Sequence, residues 1–189
     1  MQPFKWRVKL AARYLFEEAV IAYPTEGVWG LGCLAASEAA VQRILILKRR
    51  SWKQGLILVA SEIAQILPYS QRLSEDQLKM LKAAWPGPVT YLLPRSSDTP
   101  DYIAGQHDTV AVRVSDHPVV RAICKQVEGP LVSTSANPSG KVAATSALRV
   151  RQYFPQGIDY FFPGKLGGVS GASEIRDLLS GDVIRSATR

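Results

Sequence analysis

Two short segments carry residue types that could hold and polarise an anionic ligand. Lys48, Arg49 and Arg50 place three consecutive cations at the end of an apolar helical pattern. Residues 133–137 (Ser-Thr-Ser-Ala-Asn) follow a buried strand pattern and supply hydroxyl and amide groups. Cations combined with hydrogen-bonding groups at strand ends suit a phosphate-bearing ligand. The two segments therefore predict a phosphate-binding pocket.

Structural roles are available for both segments. Cations at a helix C-terminus offset the helix dipole, and Ser, Thr and Asn side chains satisfy turns. Three cations in a row exceed what capping requires, and a turn seldom needs the five hydrogen-bonding side chains found within residues 133–139. We favour the pocket, while solvated helix ends and a satisfied turn stay open as alternatives.

Several other chemistries are not expected. No histidine spacing supports a serine triad, so covalent serine catalysis is disfavoured. The chain has no G-x-x-x-x-G-K-[ST] motif, and the glycines at 27, 30 and 32 have the wrong spacing for the dinucleotide fingerprint. Cys33 and Cys124 lie far apart, and His107 and His117 have no partner spacing. We expect reduced cysteines and no metal site built from protein side chains.

Composition bounds the class of protein. The chain has 189 residues, of which 47% are hydrophobic and 21% charged, as in ordinary globular proteins. The net charge of +7 favours anionic partners such as nucleotides or RNA without choosing among them. No apolar run approaches the roughly 20 residues of a membrane span, and the charged N-terminal stretch makes a poor secretory signal. We expect one domain over residues 1–189, a cytoplasmic location and no membrane association.

Helical patterns alternate with short strand patterns, but several successive strands lack a helix between them. This indicates an α/β fold with a twisted mixed sheet flanked by helices. The patterns predict helices at 4–18, 37–48 (capped by Ser37), 74–84 (with a capping box), 119–127 and 144–153. They predict strands at 19–23, 56–60, 89–93, 109–114, 131–134, 158–162, 173–177 and 183–186. Residues 25–32 are predicted to form a glycine-rich loop, and residue 115 or 116 to cap the helix at 119–127.

Seven motifs in fixed order resemble the YrdC/TsaC family of threonylcarbamoyl-AMP synthases, in its short bacterial form. The resemblance covers residues from about 8 to 187. The motifs are Tyr23-Pro24-Thr25-Glu26, Gly30-Leu31-Gly32, Lys48-x-Arg50, residues 85–90 (Trp-Pro-Gly-Pro-Val-Thr), Ala111-Val112-Arg113, residues 133–137 and residues 173–177 (Ser-Glu-Ile-Arg-Asp). The resemblance implies a basic concave surface on the sheet.

The resemblance also implies an activity and its residues. L-threonine, bicarbonate and ATP, with Mg²⁺ on the triphosphate, would give threonylcarbamoyl-AMP and pyrophosphate for tRNA modification. It assigns catalysis to Lys48, Arg50, Ser135 and Asn137. The same four residues would bind ATP together with Ser133, Ser173 and Arg185, while Thr25 and Arg113 would bind threonine. The partners it implies are the other proteins of tRNA threonylcarbamoylation.

Two alternatives and two departures accompany this resemblance. A non-catalytic protein could use the basic concavity to bind tRNA or double-stranded RNA in ribosome maturation, and a nucleotide-binding regulator is the third possibility. Residues 51–54 (Ser-Trp-Lys-Gln) leave the family pattern after Arg50, where relatives commonly have Pro. Val59 and Ala60 stand where longer relatives often carry a His, so the resemblance implies no substrate contacts for this chain in that region.

Overall fold

A computed structural model describes residues 3–169 and 171–187 of the chain. Nine strands form a single mixed sheet in the order β7-β1-β2-β6-β3-β5-β4-β8-β9. They are β1 Ile21–Pro24, β2 Trp29–Leu34, β3 Ile57–Ala60, β4 Val89–Pro94, β5 Thr109–Val114, β6 Leu131–Ser135, β7 Tyr160–Phe161, β8 Glu174–Asp177 and β9 Val183–Arg185. The pairs β1/β7, β3/β5 and β4/β8 are parallel, and the other neighbouring pairs are antiparallel. The predicted α/β fold with a mixed sheet is confirmed.

The helices flank this sheet. They are α1 Pro3–Phe16, α2 Glu38–Lys48, α3 Glu75–Ala84, α4 Asp101–Ala104, α5 Pro118–Gln126 and α6 Ala147–Tyr153. Short 3₁₀ turns lie at Trp52–Gln54, Ile63–Gln65 and Leu67–Tyr69. No helix in the described part of the chain has the length and apolar character needed to cross a bilayer. The prediction of a single domain over residues 1–189 stays a prediction, and residues 1, 2, 170, 188 and 189 lie outside the description.

Two caps follow from the local sequence. The Ser37 side chain accepts a hydrogen bond from the Ala40 amide at the start of α2. Ser74 and Gln77 form the predicted capping box of α3, each side chain accepting from the other residue's amide. At α5 the cap is instead His117, whose side chain accepts from the Val119 amide. The expectation of a Ser or Asp cap there was wrong, because the Ser115 hydroxyl is taken up by the His117 amide and by Glu26.

The segment predicted as a glycine-rich loop is mostly strand. Only residues 25–28 form a turn, and Gly30 and Gly32 lie inside β2. A Cβ on Gly32 would lie 2.6 Å from both the Tyr23 hydroxyl oxygen and the Val132 carbonyl oxygen. Tertiary packing therefore overrides the low strand propensity of glycine, since only a bare backbone leaves room for the Tyr23 ring.

Strand alternation divides the sheet into a core face and a site face. On β5, Val110, Val112 and Val114 pack into the core beside α2, which contributes Val41, Ile44 and Leu45. The opposite face of the sheet is covered at one end by α1 and α5, through residues such as Val8, Leu15 and Ile123. On that face β5 carries Thr109, Ala111 and Arg113, which line a cavity. Successive side chains of a strand point to opposite faces, so one strand supplies both core and site.

Burial in α2 predicts a large difference between two isoleucines that are two residues apart. Ile44 is fully buried in the core, and Ile46 is 74% exposed. Ile44→Ala is expected to lower the free energy of unfolding by about 2–5 kcal/mol through lost burial and a cavity. Ile46→Ala, the matched control, is expected to change it by less than about 0.5 kcal/mol. Urea denaturation of the two variants measures both values, and equal losses would contradict the placement of α2.

Candidate functional site

The site face of the sheet carries a cavity of about 480 Å³. Its walls come from β2, β3, β4, β5, β6, β8 and β9, from α4 and from the turn at residues 25–28. Seven of the nine predicted site residues line it: Thr25, Arg50, Arg113, Ser133, Ser135, Ser173 and Arg185. Lys48 and Asn137 are absent from the lining. The tertiary structure therefore brings together side chains from positions 25 to 185, while two of the predicted catalytic residues lie outside the cavity wall.

The buried Lys48 side chain connects the end of α2 to the end of β6. The residue is only 3% exposed, and its ammonium group donates hydrogen bonds to the backbone carbonyls of Ser135 and Asn137, the latter at 2.7 Å. Its own carbonyl accepts from the Ser139 amide at 2.8 Å. Burial and then the nearby Arg50 charge lower the pKa of Lys48 from 10.5 to about 7. Lys48 thus holds the turn after β6 against the helix end.

The Asn137 side chain stabilises the turn after β6 through hydrogen bonds to backbone carbonyls of that turn. Its side-chain amide donates to the carbonyl oxygens of Pro138, at 3.1 Å, and Lys141, at 2.5 Å. The Asn137 side-chain oxygen is buried and has no hydrogen-bond partner among the described atoms. Ser135, two residues earlier, lines the cavity and is half-buried. The Ser-x-Asn segment is therefore a braced turn that presents Ser135 to the cavity.

The three consecutive cations have three different environments. Lys48 is buried, Arg49 is exposed as the left-handed C-cap of α2, and Arg50 turns back into the cavity wall. Arg50 donates to the Gly55 carbonyl at 3.0 Å, while its Nε is buried without a partner. Burial and then the charge of Arg185 lower the pKa of the Arg50 guanidinium. A cation held near another cation favours an anionic ligand between them.

Arg185 reaches the cavity from the outermost strand. It donates to the Ser173 carbonyl at 2.7 Å, and the Ser173 hydroxyl lies 3.0 Å from that of Thr90. Burial and then the charge of Arg113 lower the pKa of Arg185. Arg50 and Arg185, which donate only to neutral oxygens among the described residues, therefore give the cavity the basic character expected from the resemblance.

Ser133 is oriented by Tyr23, a residue for which the motifs predict no role. The Tyr23 hydroxyl donates to the Ser133 hydroxyl oxygen at 2.8 Å. Burial raises the pKa of Tyr23, so its phenol keeps the proton that it donates. Because the Ser133 oxygen already accepts this bond, its own proton is available to a ligand in the cavity.

Arg113 is paired with Glu26, which was also left without a role. Both side chains are buried, at 8% and 6% exposure, and Arg113 Nη2 lies 3.4 Å from Glu26 Oε2. The Ser115 hydroxyl donates to Glu26 Oε1 at 2.6 Å, and the Asp116 amide donates to it at 3.2 Å. Burial by itself raises the pKa of the Glu26 carboxyl, but Arg113 and Ser115 outweigh it and lower the pKa below 4.5.

Thr25 forms the turn that leads into β2. Its hydroxyl donates to the Val28 carbonyl at 2.7 Å, and its backbone amide donates to the same carbonyl at 3.1 Å. Thr25 lines the cavity next to Glu26. The turn therefore delivers a hydroxyl-bearing residue and a carboxylate to the Arg113 end of the cavity.

The divergent segment at residues 51–54 is a 3₁₀ turn at the cavity edge. The Ser51 side chain accepts from the Lys53 amide, and Gln54 lines the cavity. Arg50 donates to the carbonyls of Gln54 and Gly55. Ser51 thus caps the turn where relatives commonly have Pro, and Lys53 is exposed outside the cavity.

Most of the site residues that have no predicted role nevertheless lie inside the sequence motifs. Tyr23, Glu26 and Thr90 all fall inside the quoted motifs, so their positions stood out while their contacts did not. Ser115 falls in no motif and becomes visible only through its bond to Glu26. In the part of the chain that the structure describes, no three His, Cys, Asp or Glu residues come together as a metal cluster.

Together, the mixed sheet and its arginine-lined cavity define an α/β protein built to hold an anionic ligand on one sheet face. Comparison with known proteins makes this class specific. The sequence model of the Sua5–YciO–YrdC family, described as "Telomere recombination", matches residues 13–187. The chain belongs to this family, as the motif resemblance predicts.

Relatives and solved structures agree with the assignment. A protein of Stutzerimonas stutzeri named threonylcarbamoyl-AMP synthase is 52% identical over 96% of this chain and 98% of its own length. A protein of the same name from Pseudomonas aeruginosa is 50% identical, with the same coverage of both chains. The structure of P. abyssi Sua5 complexed with L-threonine superposes with a TM-score of 0.86 and 35% identity, covering 92% of this chain. This chain spans about half of that longer protein, 51%. The structure of E. coli YciO, at 20% identity and a TM-score of 0.85 over 97% of this chain and 90% of its own, supports the fold.

The buried ammonium of Lys48 predicts a pH-dependent stability term. Burial lowers the pKa of Lys48 in the folded chain from its ordinary value of 10.5 to about 7, so the unfolded state holds more protons between these values. The contribution of Lys48 to stability therefore rises with pH across this window. The free energy of unfolding of the chain minus that of Lys48→Met is expected to rise by at least about 1 kcal/mol from pH 7 to 9.5.

Urea denaturation at the two pH values measures this difference. The exposed Lys53→Met provides the control for removing a lysine charge from this region. A difference for Lys48→Met that stays constant or falls between pH 7 and 9.5 would contradict the buried, depressed state of Lys48.

Proposed function

We propose that the chain is a threonylcarbamoyl-AMP synthase, which converts L-threonine, bicarbonate and ATP into threonylcarbamoyl-AMP and pyrophosphate. The observation that carries the proposal is the cavity that gathers Arg50, Arg113 and Arg185 around hydroxyl groups of Ser133 and Ser135. Relatives of this name at 50–52% identity over nearly the whole chain support it.

The reaction mainly requires that the negative charge of the reactants is neutralised and that the reactants are aligned. The threonine amine attacks the bicarbonate carbon, and loss of water leaves a carbamate. A carbamate oxygen then attacks the α-phosphorus of ATP, and the bond from this phosphorus to the bridging oxygen breaks to release pyrophosphate. Because nucleophile and electrophile are both anionic, fixed cations and hydrogen-bond donors in a confined site lower the barrier.

We assign the triphosphate to the end of the cavity that contains Arg50 and Arg185. Their guanidinium groups supply positive charge, and the hydroxyls of Ser133, Ser135 and Ser173 supply neutral hydrogen bonds. Lys48 and Asn137 act on this end by bracing the turn that carries Ser135, according to their contacts. Loss of the Lys48 side chain would therefore misplace the turn.

We assign the amino acid to the part of the cavity around Arg113 and Glu26, the Arg113 end. Arg113 would bind the threonine carboxylate, because a guanidinium matches the planar geometry of a carboxylate. Thr25 lies beside it at the turn into β2. The P. abyssi Sua5 structure holds L-threonine, which supports a threonine site in this fold.

Mg²⁺ would enter with the triphosphate of ATP. The cavity carboxylates Glu26 and Glu174 are already paired with Arg113 and Arg176, so neither is a free ligand. The residues present fit a Mg²⁺ ion held by phosphate oxygens and water rather than by protein carboxylates. When bound, the ion would neutralise part of the triphosphate charge.

The product implies further partners. The threonylcarbamoyl group must be passed to tRNA by other proteins of the modification pathway, and we place the chain in the cytoplasm with them. Direct binding of tRNA or double-stranded RNA is the alternative use of the +7 charge. RNA binding that weakens steeply with salt and is unaffected by ATP and threonine would favour this alternative.

The proposal predicts pyrophosphate release that depends on both threonine and bicarbonate. Lys48→Ala and Arg50→Ala are each expected to lower the rate more than about tenfold, because Lys48 braces the turn that presents Ser135 and Arg50 supplies positive charge in the cavity. Arg49→Ala is the matched control, since Arg49 is exposed and lies outside the cavity, and it is expected to keep the parent rate. No release from the parent protein, or a Lys48→Ala variant equal to the parent, would refute the proposal.

A further inference from the structure

The cations that line the cavity differ in their ionic pairing. Arg113 lies beside the Glu26 carboxylate, so the Arg113 end combines one positive and one negative charge. Arg50 and Arg185 donate only to neutral oxygens, and among the described residues no carboxylate forms an ion pair with either. The remaining carboxylate of the lining, Glu174, is bound to Arg176. The charge of Arg113 is thus balanced by Glu26, whereas the charges of Arg50 and Arg185 are not balanced by a paired carboxylate among the described residues.

Glu26 is held in place so that its charge stays beside Arg113. One carboxylate oxygen accepts from the Ser115 hydroxyl and the Asp116 amide. The other oxygen has no hydrogen bond and lies 3.4 Å from Arg113 Nη2. The Glu26 carbonyl also accepts from the Val169 amide at 3.1 Å, and a Cβ on Gly167 would lie 3.0 Å from the Glu26 Cα. Backbone and side chain are therefore both fixed from several directions.

We propose that Glu26 is a specificity-determining residue that makes the Arg113 end of the cavity select a zwitterionic α-amino acid over simple anions. The inference rests on the proposed function, because it takes Arg113 as the partner of the threonine carboxylate. A lone Arg113 would attract any carboxylate or phosphate, including the triphosphate that belongs at the Arg50 end. The Glu26 charge cancels this general attraction and adds attraction for the ammonium group of an amino acid.

Glu26 acts through space and through Arg113 rather than as a base. Its unbonded oxygen is buried from solvent, and the Arg113 charge and Ser115 bond keep its carboxyl ionised. An ionised carboxylate repels the carboxylate of a ligand and attracts its ammonium group. Glu26 is therefore expected to favour an amino acid over the same acid without the amine.

The test compares L-threonine with 3-hydroxybutanoate, which keeps the carboxylate and hydroxyl but lacks the amine. Calorimetry gives the dissociation constant of each ligand, and their ratio measures the discrimination. Glu26→Gln preserves the shape and the oxygen that accepts from Ser115, but removes the charge. We expect this variant to lower the discrimination about tenfold or more, and pyrophosphate to become a stronger competitor of threonine.

Three other variants separate charge from packing. Ser115→Ala removes the bond to Glu26 and keeps the charge, and Glu26→Asp keeps the charge on a shorter side chain. Both are expected to retain the discrimination within about threefold. If Glu26→Gln does not fold, the parent decides: equal affinity for L-threonine and 3-hydroxybutanoate would refute the role of Glu26. Asp159→Asn breaks the ion pair with Arg43, which lies outside the cavity, and is expected to leave the discrimination and the activity unchanged.

The outcomes distinguish this inference from the proposed function. If the parent binds threonine and Glu26→Gln keeps the parental ratio, or Glu26→Asp loses it, the role of Glu26 is refuted and the synthase proposal stands. If the parent neither binds threonine nor releases pyrophosphate, the proposed function fails, and the inference fails with it. A reduced ratio in Glu26→Gln alone supports the inference.

Discussion

The contact between the Lys48 ammonium and the two carbonyls that follow β6 joins the functional segments of the chain. It ties the end of α2 to the Ser-x-Asn turn, and the Lys48 carbonyl adds a third bond to the Ser139 amide. Arg50 follows Lys48 in the chain and Ser135 is the last residue of β6, so this contact holds both residues at the same cavity. A buried ammonium is tolerated here because neighbouring carbonyl oxygens replace its water.

The sheet imposes a second constraint, since each central strand serves the core and the site at once. Val112 packs against the α2 side while Ala111 and Arg113 face the cavity. A shift of one residue in the register of β5 would bury Arg113 in the apolar core and expose the valines to the ligand. Hydrophobic packing on one face therefore enforces the positions of the charged groups on the other.

Much of this arrangement could be predicted from local patterns. The capping box of α3, the Ser37 cap and strand β5 agree with the sequence prediction because each depends on neighbouring residues. The sequence shows the cluster of cations at 48–50. It does not show that Lys48 is buried, that Arg49 caps α2 and that Arg50 lines the cavity. This difference among the three cations depends on where β6 ends, which is more than 80 residues away along the chain.

The sequence by itself determined the residue types, the order of the motifs and hence the family, because these are properties of the chain alone. Only the tertiary structure decided which side chains touch. Glu26 and Arg113 are 87 residues apart and lie 3.4 Å from each other only because β2, β6, β3 and β5 are adjacent in the sheet. Tyr23 meets Ser133 across two glycines for the same reason. Long-range pairing of this kind is set by the packing of the whole sheet, which no local pattern encodes.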